Sequence, residues 1–340
     1  MGQAEPLWNT WEAPAPNEIP ENLEEFLCHL SGPTVISLPG ADPSTTRVAV
    51  TLLHGNEPSG AKAIHRLLRE GFQPATNTLL VLACIATALT EPLFSHRLLP
   101  GCRDMNRCFK PPFDDYQGQL AKSLIDTLAG LQPEAIVDLH NTSGDGPAFA
   151  VTSQFGVEHM SLANLFTSRL VYTDLSLGSL MEITEPGCPV VTIECGGARQ
   201  AESDDVAYQG LQEYLLRPHL FKNAAAVQLD LYRHPMRLEL KEGFQIDCSS
   251  QPTDADVTLQ RGVQNLNFGE VETGQQLAWL GEQGMAALQV KDGEGGNRLD
   301  EFFEQREGML CTRQPLKLFM VTENPHIAAT DCLFYLVGVE

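Results

Sequence analysis

Six short apolar runs recur between residues 35 and 197, several of them apolar on consecutive positions and not on alternating ones: VISLPG (35–40), RVAVTLLHG (47–55), TLLVLACIA (78–86), EAIVDLH (134–140), AFAVTS (148–153) and CPVVTIECGG (188–197). A strand of that kind is covered on both faces, as in a largely parallel sheet. Amphipathic segments lie between the runs. Ser59–Glu70 places Ala63, Leu67 and Leu68 on one face, and Tyr116–Leu131 places Leu120, Leu124 and Leu128 four residues apart. Asp204–Leu220 begins with acidic residues and then sets Leu211, Leu215 and Leu216 on a common face. Alternating strands and helices predict an α/β domain over residues 31–222, with a mostly parallel or mixed central sheet flanked by helices.

The flanks read differently. Residues 1–30 are rich in Pro, Glu and Asn and predict a loose arm with one short helix around Glu21–Leu30. Residues 223–340 alternate short apolar runs with Gly, Asp and Asn turns, which predicts a small, mainly antiparallel β domain. KDGEGGNRLDEFFEQREG (291–308) reads as an exposed loop or a helix in an insertion.

Charge and cysteine usage exclude several classes of function. The formal charge is 22 − 44 = −22, which repels phosphate backbones and anionic membrane surfaces, so no nucleic acid and no membrane is expected as a partner. The same field leans weakly toward a cationic substrate. Nine cysteines occur without a CxxC pair, and several sit inside apolar runs, so they read as small buried hydrophobes in a reducing compartment. The N-terminus has no basic segment followed by an apolar one, and a cytoplasmic protein is expected.

Candidate chemistry gathers at three strand ends. The first apolar run leads into His54-Gly55-Asn56-Glu57, where two intervening residues across a turn let His54 and Glu57 reach one point; Gly55 permits the bend. A second strand end brings His140 and a third brings Glu194. Strand ends are where α/β proteins build sites. Two histidines and a carboxylate are the ligand set of a catalytic zinc, one per chain, held by His54, Glu57 and His140. Glu194 is then the candidate general base. Asp138 leaves its strand on the same face as His140 and could orient that imidazole. The alternative is a pair of structural histidines.

The ordered segments HGNEPSG (54–60), DMNRCF (104–109), DLHNT (138–142) and TIECG (192–196) resemble the succinylglutamate desuccinylase/aspartoacylase family, a branch of the zinc carboxypeptidase fold. The resemblance covers roughly residues 47–220, and TDCLFYLVG near the C-terminus resembles the last strand of that family's β domain. It implies zinc on His54, Glu57 and His140, and Glu194 as catalytic acid/base. It also implies that Asn106 and Arg107 hold a substrate α-carboxylate, Arg by its bidentate fork. An upstream arginine would polarise the scissile carbonyl; Arg97 is the first choice and Arg103 the rival, with ordinary surface charge the alternative for Arg103 and Arg107.

The chain departs from the aspartoacylase pattern ahead of Glu194. Where that enzyme carries an arginine for the substrate's side-chain carboxylate, this chain reads GSLMEITEPGCPVVTIE, with Glu182 and Glu185 and no cation. Nor is that enzyme's tyrosine beyond the final strand matched before Glu340. The expected substrate is therefore a small N-acyl amino acid with a neutral or basic side chain, with Glu182 as a candidate contact; the alternative is that Glu182 and Glu185 point into solvent. HExxH, GxSxG and GxxxxGK[ST] are absent, and neither GDGPAF nor GEGGNR has dinucleotide-loop spacing. Two other readings remain: a zinc carboxypeptidase acting on peptides or peptidoglycan fragments, and a non-catalytic metal-binding interaction module.

Overall fold

The computed structural model describes residues 7–142, 144–183, 188–222, 227–291, 296–330 and 332–339. The chain divides into two compact units: Met1–Leu170 with Leu175–Leu231, and Val171–Asp174 with Tyr232–Glu340. The second unit thus begins at Tyr232 and takes in residues 171–174, whereas the sequence pattern places the change at 223. Among the described residues no helix is long and apolar enough to cross a membrane.

The first unit holds β1 (Asn9–Glu12), β2 (Thr34–Leu38), β3 (Asp42–Thr51), β4 (Thr76–Leu82), β5 (Ala135–Thr142), β6 (Phe149–Thr152), β8 (Val190–Gly197) and the first two residues each of β7 (Arg169–Tyr172) and β9 (Asp230–Arg233). They form one mixed sheet in the order β1-β2-β4-β3-β5-β8-β6-β7-β9. The central strands β4, β3, β5 and β8 are mutually parallel, and β2 and β6 run antiparallel to their inner neighbours. Helices are α1 (Leu23–Leu30), α2 (Ser59–Glu70), the single turn α3 (Ile85–Ala88), α4 (Tyr116–Leu131), α5 (Val157–Ala163) and α6 (Ala201–Leu216).

Consecutive apolar residues divide between the two faces of this sheet. Ala49, Val137 and Leu139 pack with residues of α1, α2 and α6, while Val48, Val50 and Ile136 pack with Leu120, Leu124 and Leu128 of α4. This is the doubly covered sheet that the apolar runs require. The helices carry the expected end signals. Asn22 caps α1 by accepting from the Glu25 amide at 2.9 Å, Asp115 caps α4 by accepting from the Gly118 amide at 2.7 Å, and Gly71 closes α2 in a left-handed conformation.

The N-terminal residues depart from the loose arm. Asn9–Glu12 pairs in parallel with β2, and Trp8, Phe26, Leu27 and Leu30 are buried. The short helix expected around Glu21–Leu30 is present as α1, and its apolar face, Phe26, Leu27 and Leu30, packs into the core of the first unit.

Arg47 explains how the end of the sheet remote from the strand C-termini is closed. Its side chain is fully buried at the first position of the apolar run in β3. Nε pairs with Glu134 at 2.7 Å, and Nη1 donates to the carbonyls of Tyr214 at 2.6 Å and Arg217 at 2.7 Å. One guanidinium thus satisfies carbonyls at the end of α6 and anchors that helix to the sheet.

The second unit holds β10 (Met236–Leu240), β11 (Ile246–Ser249), β12 (Val257–Gln260), β13 (Gly269–Val271), β14 (Gln276–Leu280), β15 (Leu288–Lys291), β16 (Phe303–Arg306), β17 (Met309–Thr312), β18 (Leu316–Phe319) and β19 (Phe334–Gly338). Two five-stranded sheets, β13-β18-β19-β10-β15 and β11-β12-β14-β17-β16, share one core that includes Leu238, Leu259, Leu277, Phe303 and Phe334. All described pairs are antiparallel except β11 with β12. Short helices α7 (Leu299–Phe302) and α8 (Pro325–Thr330) complete it. The expected insertion at 291–308 is in part a structural strand: Phe303–Arg306 pairs with β17, and Leu299, Phe302 and Phe303 are buried. Residues 292–295 lie outside the described residues.

Replacing Arg47 with Met would leave Glu134 and the α6 carbonyls without their partner. The variant should lose about 3 kcal/mol of stability, read as a lower denaturation midpoint in urea.

Candidate metal centre and active site

The backbone just after β3 turns the chain into the site. Leu52 takes a left-handed conformation, φ 55°, which ends the strand and directs the chain toward His54. The bend is therefore at Leu52, not at Gly55. Gly55 serves by its small size: a Cβ there would lie 2.6 Å from Thr87 Cγ2 and 2.8 Å from the Ala88 amide nitrogen. Gly60 does the same at the start of α2, where a Cβ would lie 2.3 Å from Thr51 Oγ1. The helix can start directly against β3 and β5 because that position has no side chain.

These approaches bring together the three residues expected at one point. Ligand atoms of His54, Glu57 and His140 all lie within 4.8 Å of one another, and all three residues are buried. Nδ1 of His54 is 2.9 Å from Glu57 Oε1, and Nδ1 of His140 is 2.6 Å from Glu57 Oε2. The second nitrogen of each ring meets another carboxylate: His54 Nε2 lies 2.9 Å from Asp104 Oδ1, and His140 Nε2 lies 2.7 Å from Asp138 Oδ2. Both imidazoles are thus oriented with one nitrogen facing inward, the arrangement that supports a metal ligand.

The electrostatics follow from this concentration of carboxylates. Burial works against charge on His140, but Asp138 and Glu57 outweigh it and hold that imidazole well above its ordinary pKa. His54 is raised in the same way, against burial, by Glu57 and Asp104. Burial alone would raise the Glu57 carboxyl, yet the two imidazoles hold it well below the usual range. The pocket favours positive charge at its centre. Two imidazoles and a carboxylate, each braced from behind, are a donor set that fits a divalent cation of the first transition row.

Glu194 stands beside this cluster because β8 pairs in register with β5, with His140 opposite Glu194. Its Oε2 is shut off from solvent and has no hydrogen-bond partner among the described residues. Burial pushes its carboxyl up to about 7, against the opposing pull of His140. A buried carboxylate oxygen without a partner is costly in an ordinary core and common where a reacting group is to sit.

Arg97 reaches the cluster. Its Nη1 lies 3.3 Å from Glu57 Oε1, and its Nη2 lies 3.0 Å from Asp104 Oδ2. Arg103 does not: its Nε pairs with Asp115 and its Nη2 donates to Asp115 and to the Pro112 carbonyl at 2.9 Å, beside the start of α4. The rival for the carbonyl-polarising role is thus a structural arginine. Asn106 is buried in a 3₁₀ turn, Met105–Arg107, with Nδ2 at 3.4 Å from His140 Nε2 and Oδ1 accepting from the Leu180 amide at 2.9 Å. Arg107 is exposed and donates to the Asn106 carbonyl at 2.7 Å.

Glu182 does not present its carboxylate as the sequence suggested. Both oxygens accept hydrogen bonds from its own turn, over residues 176–179. Glu185 lies outside the described residues.

Two residues of the site lie in the segments that carry the resemblance but were given no role from sequence. Asp104 is visible inside DMNR, but nothing in its spacing ties it to His54, fifty positions earlier. Asn141 follows His140; its side chain accepts from the Ser59 amide at 3.1 Å and donates to the Gly196 carbonyl at 3.0 Å. It joins the start of α2 to the ends of β5 and β8.

Asp104→Asn removes a charged brace from His54 and leaves the three inner ligands intact. Affinity for zinc should fall about 10–100-fold, as measured by chelator competition. Unchanged affinity would show that the His54–Asp104 contact does not orient the imidazole for a metal.

The catalytic-domain profile of the succinylglutamate desuccinylase/aspartoacylase family matches residues 46–215. A search of curated proteins finds no match. Solved structures of similar fold include a succinylglutamate desuccinylase from Vibrio cholerae, at TM-score 0.58 and 12% identity over 95% of this chain and 96% of that one. The succinylglutamate desuccinylase/aspartoacylase from Rhodobacter sphaeroides aligns at TM-score 0.56 and 16% identity, over 90% and 88% of the two chains. The product-bound ectoine utilization protein EutE (DoeB) from Ruegeria pomeroyi aligns at 0.54 and 18%, over 90% and 88%. At these identities the structures share the fold. With half of its length matched by the family profile, the chain belongs to the succinylglutamate desuccinylase/aspartoacylase family of amide hydrolases.

Proposed function

We propose that this chain is a zinc-dependent deacylase of a small N-acyl amino acid, with one zinc held by His54, Glu57 and His140. The observation that carries the proposal is the convergence of these three buried residues beside an unpartnered carboxylate oxygen of Glu194. When bound, zinc supplies a Lewis acid and lowers the pKa of a coordinated water.

The chain's own residues supply the remainder. Glu194, whose carboxyl is pushed up to about 7 by burial, accepts a proton from the attacking water as the new C–O bond forms. It returns that proton to the amide nitrogen as the C–N bond breaks, so the products are a carboxylate and a free amine. Arg97 places positive charge at the cluster's edge, where the carbonyl oxygen gains negative charge. Arg107, exposed and held by one nitrogen on the Asn106 carbonyl, offers its guanidinium to the α-carboxylate, and Asn106 sets its position. Asp138 and Asp104 keep the imidazoles oriented.

The substrate side chain is proposed to be neutral or basic. Residues 178–194 contain no arginine or lysine to meet a side-chain carboxylate. Glu182 does not support a specifically basic preference, since its oxygens are already engaged. The names of the solved relatives range from desuccinylases to an ectoine utilization protein, so the shared fold leaves the substrate to the pocket.

The test combines metal content with turnover. Protein purified without added metal should carry about one zinc per chain and release amine from an N-acyl amino acid panel, and a chelator should abolish that release. Glu194→Gln should retain zinc while kcat falls by about 10²–10⁴-fold. Near-normal activity of that variant would remove Glu194 from the role. Preferred turnover of N-acetylaspartate or N-succinylglutamate would overturn the side-chain assignment. Bound zinc without amide hydrolysis would point to a binding module, and release of C-terminal residues from peptides to a carboxypeptidase.

A further inference from the structure

Glu182 is the one residue expected in the substrate site whose carboxylate is wholly engaged elsewhere, and its surroundings give it a different role. Oε1 accepts from the amides of Leu177 at 2.8 Å and Ser179 at 2.9 Å, and from the Ser179 hydroxyl at 2.7 Å. Oε2 accepts from the Gly178 amide at 3.0 Å and the Ser176 hydroxyl at 3.1 Å. Five donors from four consecutive residues converge on one half-buried carboxylate. Burial opposes its charge, but the donors prevail and hold the carboxyl below its ordinary pKa.

The turn organised in this way docks on the segment that carries Asn106 and Arg107. Three hydrogen bonds join them: the Leu180 amide to Asn106 Oδ1 at 2.9 Å, the Phe109 amide to the Gly178 carbonyl at 3.0 Å, and Lys110 Nζ to the Ser176 carbonyl at 3.0 Å. The fit is close. Gly178 has φ 80°, and a Cβ on it would lie 2.8 Å from the Arg107 carbonyl oxygen and 2.8 Å from Lys110 Cγ.

Asn106 is in turn placed between the turn and the candidate metal centre. Its Oδ1 is taken by Leu180, which leaves Nδ2 toward His140, 3.4 Å from Nε2. Its own amide donates to Asp104 Oδ1 at 2.9 Å, the oxygen that also meets His54. A carboxylate offers two acceptor oxygens to these five donors, whereas the Gln amide offers one.

We infer that Glu182 is a positioning residue for the substrate-binding pair Asn106 and Arg107: it folds the 176–182 turn that fixes the Asn106 side chain. This rests on the proposed deacylase reading for its kinetic consequence, but not for its structural one. Both Glu182 oxygens are engaged within the residue's own turn. It acts on the register in which the substrate carboxylate is held, so its loss appears mainly in KM.

The experiment compares the zinc-loaded wild type with Glu182→Gln, Asn106→Ala and the double variant. Steady-state kinetics are measured on the best N-acyl amino acid, and the Asn106 side-chain amide signal, assigned through its loss in Asn106→Ala, is followed in ¹⁵N-labelled protein. Glu182→Gln is expected to raise KM about tenfold, with a smaller change in kcat, and to shift the Asn106 signal. The double variant should be no worse than Asn106→Ala alone, because residues acting as one unit are not additive. Additive losses, or an unchanged KM with an unchanged Asn106 signal, would overturn the assignment. If Glu182→Gln does not fold, Ser179→Ala removes one donor hydroxyl and should move KM and the signal in the same direction by less; no movement overturns the assignment. If the wild type hydrolyses no N-acyl amino acid, the deacylase reading falls, and the Asn106 signal alone decides: a shift in Glu182→Gln upholds the positioning role, and an unmoved signal ends it.

Discussion

The Glu57 carboxylate is the contact on which the rest of the site depends. It is buried, it carries charge, and each of its oxygens faces an imidazole. An uncompensated carboxylate in that position would cost several kcal/mol. Compensation has to come from cations or from a bound metal, and the surroundings are arranged for it. His54 and His140 approach from two strand ends, and Arg97 approaches from the loop after α3. Two further carboxylates, Asp104 and Asp138, then raise the demand for positive charge instead of relieving it. A protein core would not accumulate acids in this way for stability. The pattern is the donor arrangement that the proposed divalent cation would satisfy.

Getting four chain segments to that point requires unusual closeness of backbone. The start of α2 lies against Thr51 and Leu139 because Gly60 has no Cβ to obstruct it, and the His54 turn lies against Thr87 and Ala88 because Gly55 has none. Leu52 carries the strained conformation just ahead of them. Asn141 then joins the start of α2 to the ends of β5 and β8. At the opposite end of the sheet Arg47 holds α6 in place, so β3 contributes a charged anchor at one end and leads into a candidate ligand at the other.

Much of this was legible in the sequence. Runs of consecutive apolar residues gave away the doubly covered sheet, and polar residues terminating those runs marked the site. The contribution of the 104–107 segment was legible only through family resemblance, since no periodicity links it to β3 or β5. Asp104 shows why. A carboxylate that braces a histidine has no spacing rule when the two are joined by a turn from a distant segment. Glu182 shows the converse. Its position ahead of Glu194 invited a substrate contact, but the serines and glycine just before it were the stronger local signal, because hydroxyls and free amides in a tight turn attract the nearest carboxylate. Residues 7–30 were legible in part: the short helix was expected, but proline and glutamate suggested a loose arm around it, while Trp8, Phe26 and Leu27 are buried.

The route of the chain between its two units has a practical meaning for dissection. β7 starts in the first unit and ends in the second, and β9 does the same about sixty residues later. Residues 171–174 therefore belong to the second unit by packing but are flanked on both sides by the first. A single cut before Tyr232 would not separate two complete bodies: the N-terminal fragment would keep a piece of the β unit, and the C-terminal fragment would lack it. In genetic terms the β unit is not a cassette appended to a hydrolase, and an exchange of that unit between relatives would need two junctions chosen together.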